Sequence, residues 1–341
     1  TPVPMVESPV DAGSAKTSSA WCLFYSVGII FMLVVYGLLQ ERIMSVPYGS
    51  AGEMFTDSVF LVLCNRIVAV IFGLCMARGQ GESLENKAPL WKYLAISVTN
   101  VYSSACQYEA LRYLSFSVQM LGKSFKMMPV MLVGIFISGK RYNMTDWLIA
   151  AAVTVGVTEF LLTGPIDSTA TTGNSPYGFL LLATFLLLDG FTANFQEKLF
   201  REHSTSKYNQ MVYINLGSTV ISLLGLIACG TLRSSVLFAG SHPEFVMDAG
   251  ILSAAAVAGQ WFIYSQIKEF GALVFVETLN VRQVVSLLTS YVVYGHSITV
   301  LQVLGLAVVF GALFYKSLSS LAATAVERQA LLRRSTSAPG S

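Results

Sequence analysis

Ten runs of about twenty mostly apolar residues, joined by short polar connections, constrain this chain more than any other feature. A helix needs ~20 residues to cross the hydrocarbon of a bilayer. Within lipid, a single segment satisfies its backbone hydrogen bonds only as a helix. The runs cover residues 21–39, 58–76, 91–111, 117–137, 145–162, 177–193, 208–229, 247–263, 271–293 and 298–318. Charged residues make up 12% of the 341 residues, about half the share of a soluble domain. The expected fold class is therefore an all-α membrane protein with ten transmembrane helices. Residues 1–20, rich in Pro, Ser, Ala and Gly, are expected to form a disordered tail. Residues 21–318 are expected to form one polytopic membrane unit, and 319–341 a second, basic tail.

Several function classes drop out on composition. A net charge of +2 provides no clustered basic face for nucleic acid. The five cysteines all lie in apolar runs and form neither a disulfide framework nor a metal spacing. His203, His242 and His296 fall in expected loops, without the spacing of a metal ligand set. No GxSxG, P-loop or HExxH motif is present, so neither an enzyme nor a bound cofactor is expected. The first apolar run is not followed by a small-residue cleavage pattern, so no cleavable signal peptide is expected. The chain opens at Thr1 rather than Met, which leaves N-terminal sequence open.

Lys and Arg placement sets the expected orientation. With the N-terminus cytoplasmic, fourteen of them fall in cytoplasmic tails and loops, and only Arg42, Arg112 and Arg233 on the opposite side. Both termini are thus expected in the cytoplasm. The sequon Asn143-Met144-Thr145 then faces the cytoplasm and carries no glycan.

The remaining four cations lie inside spans, and they are the residues that need a reason. Lys123 and Lys126 sit three apart in QMLGKSFKMMPVMLVG (119–134), one turn apart on one helical face. Each costs ~2.5–3.5 kcal/mol at mid-membrane on insertion scales. Neutralising carboxylates or snorkelling toward a headgroup would explain them, as would a buried pocket for an anion in transit. Pro129 interrupts the same helix just beyond them. Placing Gly139 on Gly295, an offset of 156, puts Lys126 on Arg282 and Arg112 on Lys268. Ten spans divide into five and five, and an odd number inverts the second set, giving repeats over about 21–163 and 177–318. Inverted repeats with a site at the midplane are a common plan of secondary transporters. Three cations at one depth repel one another unless an anion joins them. Arg282 can fork two oxygens of one phosphate, and Gln283 and Asn280 add neutral donors.

Other polar residues interrupt apolar spans. Arg66 in LVLCNRIVAV either contacts the anion or pairs with a carboxylate such as Glu109 or Asp189. Gln107, Tyr108 and Glu109 follow one another in the third span. Tyr108 offers a ring on which a base could stack, and Glu109 either serves the substrate or neutralises a lysine. Asp189 and Gln196, seven apart, share a helical face. Asp189 is a candidate to hold Arg66 or Lys126 when no substrate is bound. Tyr213, Asn215 and Gln260 complete the candidate set, with helix–helix adhesion as the plain alternative for each.

Several stretches carry a resemblance: GLLQER at 37–42, FLVLCNR at 60–66, SACQYEALRYLSF at 104–116, LGKSFKMMPVML at 121–132, VRQ at 281–283 and YGH at 294–296. Together they resemble nucleotide-sugar transporters of the drug/metabolite superfamily. Within these the chain is most similar to the branch containing Golgi carriers of 3′-phosphoadenosine 5′-phosphosulfate (PAPS). The resemblance spans about 21–318. It implies ten helices in two inverted five-helix repeats, Golgi or endoplasmic-reticulum residence, and exchange for a nucleotide monophosphate. It also implies phosphate recognition at Lys123, Lys126 and Arg282. The helix-7 pattern FYNN of the family is replaced here by Val212-Tyr213-Ile214-Asn215, and the GALNK signature of GDP-sugar carriers is absent around Arg282.

The function expected from the resemblance is an alternating-access antiporter carrying PAPS from cytosol to Golgi lumen against an adenosine monophosphate-type nucleotide. PAPS bears a 3′-phosphate beside its phosphosulfate, and four intramembrane cations suit that charge. A UDP-galactose/UDP-glucose antiporter on the same scaffold is the alternative, and a non-transporting membrane interaction protein a third. The expected partners are a nucleotide-type anion, its counter-substrate and membrane lipid, with a homodimer left open.

Overall fold

The computed structural model describes residues 12–49, 52–55, 57–110, 113–114, 122–162, 175–294 and 299–316. Among these residues the regular structure is helical, apart from one isolated antiparallel bridge between Tyr48 and Glu53. In chain order the helices are α1 (Ala12–Ser45), α2 (Ser58–Gly79), α3 (Leu90–Ala110), α4 (Met127–Ser138) and α5 (Met144–Leu162). They continue with α6 (Pro176–His203), α7 (Lys207–Ala228), α8 (Leu232–Ser241), α9 (Pro243–Tyr294) and α10 (Val300–Lys316).

Five stretches among the described residues are long and apolar enough to cross a membrane: Ala20–Met44, Ser58–Gly79, Pro176–His203, Lys207–Ala228 and Pro243–Val285. Their surfaces match that solvent. Leu23, Phe31, Ile71, Leu187, Val220 and Leu224 are all exposed. A helix that is apolar on its outer as well as its inner side belongs in lipid rather than in water.

The boundaries depart from the sequence expectation in four places. Helix α1 starts at Ala12, ahead of the expected Trp21. Helix α6 continues past Ala193 to His203, since ANFQEKLFREH is made largely of helix-tolerant residues and outlasts the apolar run. A ten-residue helix, α8, occupies the connection expected as loop after the seventh span. The eighth and ninth spans are two limbs of α9 that meet at Gly271, where φ is +86°. Only a residue without Cβ adopts that conformation without strain. The Oε2 of Glu197 accepts the N–H of Ala272 at 2.7 Å and so caps the second limb, 272–294.

A fifth departure concerns the two lysines. They are not embedded in one regular helix. Pro129 has no N–H to return to the carbonyl of Phe125, four residues back. Met128 takes that carbonyl instead, at 3.0 Å, and the preceding bonds also span three residues: Lys126 N–H to Lys123 at 3.2 Å and Phe125 N–H to Gly122 at 3.1 Å. The four-residue ladder resumes with Val130 N–H to Lys126 at 3.2 Å. Lys126 thus stands at the N-cap of α4, whose start has no side-chain cap.

The chain divides into two compact units. The first comprises the described residues of Thr1–Tyr102 and Thr192–Leu279, the second those of Ser103–Phe191 and Asn280–Ser341. Each draws on both sequence halves. The first unit has its densest core where the α1–α2 connection meets α7, α8 and the start of α9: Ile43, Tyr48, Phe55, Phe60, Leu226, Phe245 and Leu252 are buried together. Asp57 ties the corner by capping α2 through the N–H groups of Val59 and Phe60 and accepting the Ser235 hydroxyl at 2.9 Å. Tyr48 donates to Asp248 at 3.0 Å, and Arg42 lies 3.5 Å from the same carboxylate.

Candidate functional site

Four of the candidate residues meet in the second unit. Lys126, at the start of α4, forms an ion pair with Asp189 of α6, the side chains being 10% and 28% exposed. The approach of the two helices is made possible by the next residue. A Cβ on Gly190 would lie 3.3 Å from Val130 Cα and 3.4 Å from the Pro129 carbonyl carbon, both backbone atoms. Among the described residues, the charged groups acting on half-buried Lys123 are two cations, Arg282 and Lys126, and one anion, Asp189. Lys123 thus lies within electrostatic reach of two further cations and of the Asp189 carboxylate.

The donors on the helix that carries Arg282 are not all used. The Nε of Arg282 and the Nδ2 of Asn280 are buried without a hydrogen-bond partner among the described residues. A buried donor left unpaired costs ~1–3 kcal/mol, so an oxygen-rich ligand is the chemistry this place favours. Gln283 is buried beside them. The whole set suits a phosphate or sulfate: a guanidinium for two oxygens, two ammonium groups and an amide.

Glu109 is half-buried in the second unit, near the end of α3. Tyr108 lies on the same helix, with its side chain outside the described residues. Arg112 and His296 also lie outside them, as does Gly295 of the repeat alignment.

A second polar group of candidates assembles in the first unit. Arg66 Nη1 donates to Asn215 Oδ1 at 3.1 Å, and Nη2 to Asn100 Oδ1 at 3.0 Å. Asn215 Nδ2 continues to Gln260 Oε1 at 3.0 Å. Arg66, expected on an anion or a carboxylate, donates here to two neutral amides. Asn100, absent from the sequence candidates, completes the fork. Its only sequence signal is one amide in an otherwise apolar and hydroxyl-bearing run.

Two candidates have other engagements. Tyr213 stacks on Tyr93, with ring centroids 4.9 Å apart, and donates to the Leu84 carbonyl at 3.0 Å, tethering the connection between α2 and α3. Gln196 is buried in the first unit and hydrogen-bonds Tyr264. Gln196 thus falls in the first unit and Asp189 in the second.

No group of His, Cys, Asp or Glu among the described residues is arranged to hold a metal ion. Shallow apolar grooves occur elsewhere. One of about 470 Å³ is lined by Leu226, Leu232 and Val236, and one of about 540 Å³ by Leu148, Ala307 and Tyr315. Neither contains a candidate residue.

With this geometry in place, comparison with known proteins is informative. Residues 22–320 match the UAA transporter family. The chain belongs to the UAA transporter family. A relative from Dictyostelium discoideum, named adenosine 3′-phospho 5′-phosphosulfate transporter 1, is 46% identical over 85% of this chain and 82% of its own length. The Homo sapiens protein of the same name is 38% identical over 89% of this chain and 72% of its own. UDP-galactose/UDP-glucose transporter 5B of Arabidopsis thaliana is 41% identical over 92% of this chain and 93% of its own. A solved structure described only as a crystal structure of a protein superposes with a TM-score of 0.61, covering 86% of this chain and 95% of that one at 17% identity. At that identity it speaks for the fold alone. These UAA-family relatives are named as transporters and not as enzymes, so the chain is read as a non-enzymatic transporter.

Proposed function

We propose that this UAA-family chain is an alternating-access antiporter that carries PAPS from the cytosol into the Golgi lumen in exchange for an adenosine monophosphate-type nucleotide. The observation that carries the reading is the charge cluster felt at Lys123, in which Lys126 pairs with Asp189 and Arg282 adds a third cation, with Arg282 Nε and Asn280 Nδ2 unpaired among the described residues. The 46% identity to a protein named for PAPS supports that substrate. In the proposed architecture ten helices span the membrane as inverted repeats over about 21–163 and 177–318. Residues 1–20 and 319–341 are cytoplasmic tails of a Golgi, or endoplasmic-reticulum, membrane protein. The phosphate groups of the substrate meet Lys123, Lys126 and Arg282. Binding supplies the anion without which burial of three cations is unfavourable, so the loaded carrier reorients more readily than the empty one. Exchange follows from that difference.

A second reading rests on its own observation. The Arabidopsis relative, named for UDP-galactose and UDP-glucose, matches over a larger share of both chains. Counterflow in liposomes with labelled PAPS, UDP-galactose and ATP separates the readings. Saturable PAPS uptake that disappears in Lys126→Ala and Arg282→Ala is the expected result. Uptake of the UDP-sugar alone would replace the first reading by the second.

A further inference from the structure

Substrate is not the only anion available to Lys126. Asp189 already pairs with it, held there by the close passage of α6 over the start of α4 at Gly190. A phosphate arriving at Lys126 must therefore compete with a carboxylate that belongs to the protein. Resting on the phosphate assignment above, we infer that Asp189 is a resident counter-anion which the substrate displaces, and that it tunes how many negative charges the preferred substrate carries.

The argument is one of charge matching. Three cations against one carboxylate leave a formal surplus of two among the charged groups acting at Lys123, counting Lys123 itself. Neutralising Asp189 raises that surplus by one. The added potential acts on every charge of the ligand, so the gain in affinity grows with ligand charge. With only the screening of bulk water and a separation of ~6 Å, the gain is about threefold per ligand charge. It compounds to about tenfold for a dianion and about a hundredfold for a tetra-anion. Asp189 thus weakens all anions but weakens highly charged ones most. It also supplies a partner to which Lys126 returns when the substrate leaves, which favours release on the far side.

The test uses the full chain in detergent and in liposomes, with adenosine 5′-monophosphate and adenosine 3′,5′-bisphosphate as probes. Binding is read from ligand-dependent thermal stabilisation, and exchange from counterflow. In Asp189→Asn both probes are expected to bind more tightly, the bisphosphate by about ten times more than the monophosphate. Its release, read as efflux after loading, is expected to slow. Asp189→Glu keeps the charge and is expected to restore the wild-type ratio of the two affinities. Equal affinities in wild type and Asp189→Asn, or an equal gain for both probes, would overturn the inference while leaving the transport reading intact. A changed ratio in Asp189→Glu would also overturn it, and this holds even if Asp189→Asn does not fold. Failure of the wild-type protein to bind either probe would remove the phosphate assignment and this inference together.

Discussion

Lys126→Ala is the obvious variant with which to probe the site, and the structure says it will do two things at once. It takes one partner from an ion pair whose lysine is 10% exposed and whose aspartate is 28% exposed. Removing one member of a fully buried pair costs ~3–5 kcal/mol, because the other charge is left uncompensated. Asp189 keeps some access to solvent, so the expected cost is lower, about 2–3 kcal/mol. Adding Asp189→Asn removes the stranded charge, and stability is expected to return to within about 1 kcal/mol of wild type. The double variant is then expected to be about 1–2 kcal/mol more stable than Lys126→Ala. Exchange is expected to behave differently, falling in both the single and the double variant, since both lack the cation that meets the phosphate. Thermal unfolding of purified protein at one fixed scan rate reads the first quantity, and liposome counterflow reads the second. If Lys126→Ala were as stable as the double variant, Lys126 and Asp189 would not be holding opposite charges in contact, and the pairing would have to be abandoned.

Three other expectations can be checked on the same preparations. Arg66→Lys replaces a fork by a point charge, so one of the amide oxygens of Asn100 and Asn215 loses its donor; a loss of about 1–2 kcal/mol is expected by thermal unfolding. Glu197→Ala uncaps the second limb of α9 and is expected to cost about 1–2 kcal/mol and to speed amide exchange at Ala272, with Glu197→Gln losing less than half as much. Burial, with the hydrogen bond to Asp248, pushes the Tyr48 hydroxyl up to about 12. Because an unfolded tyrosine ionises near ~10, the contribution of Tyr48 is present below that pH and is lost as pH rises toward 12. Tyr48→Phe is expected to flatten that alkaline loss in a pH series of melting curves.

Most helices were legible because an apolar run of bilayer length has few other ways to fold. Helix α8 was hidden by its brevity: LRSSVLFAGS is too short to show a persistent period. The extension of α9 to Gly271 was hidden for a different reason. Lys268 and Glu269 end the apolar run but place no limit on a helix, which stops only where the backbone at Gly271 turns away. At the site, the cations and Asp189 stood out because charge in an apolar run is expensive. Tyr213 and Gln196 stood out by the same signal, yet their polar ends serve a loop carbonyl and a neighbouring tyrosine. Polarity within a span reports that a partner exists and says nothing of which one. The capping role of Glu197 gave no sign, since the Ala272 N–H it accepts is distant in sequence.

The bonds that precede Pro129 have a consequence for direction. Where hydrogen bonds span three residues, a turn closes after three, and side chains three apart eclipse one another. In a regular α-helix the same two side chains would diverge by about 60°. Lys123 and Lys126 lie on such a tightened turn, and Pro129 stands three residues further on. The spacing of lysine, lysine and proline therefore bears on aim: a turn that closes after three residues sets the two lysines on one side of the chain just ahead of the proline.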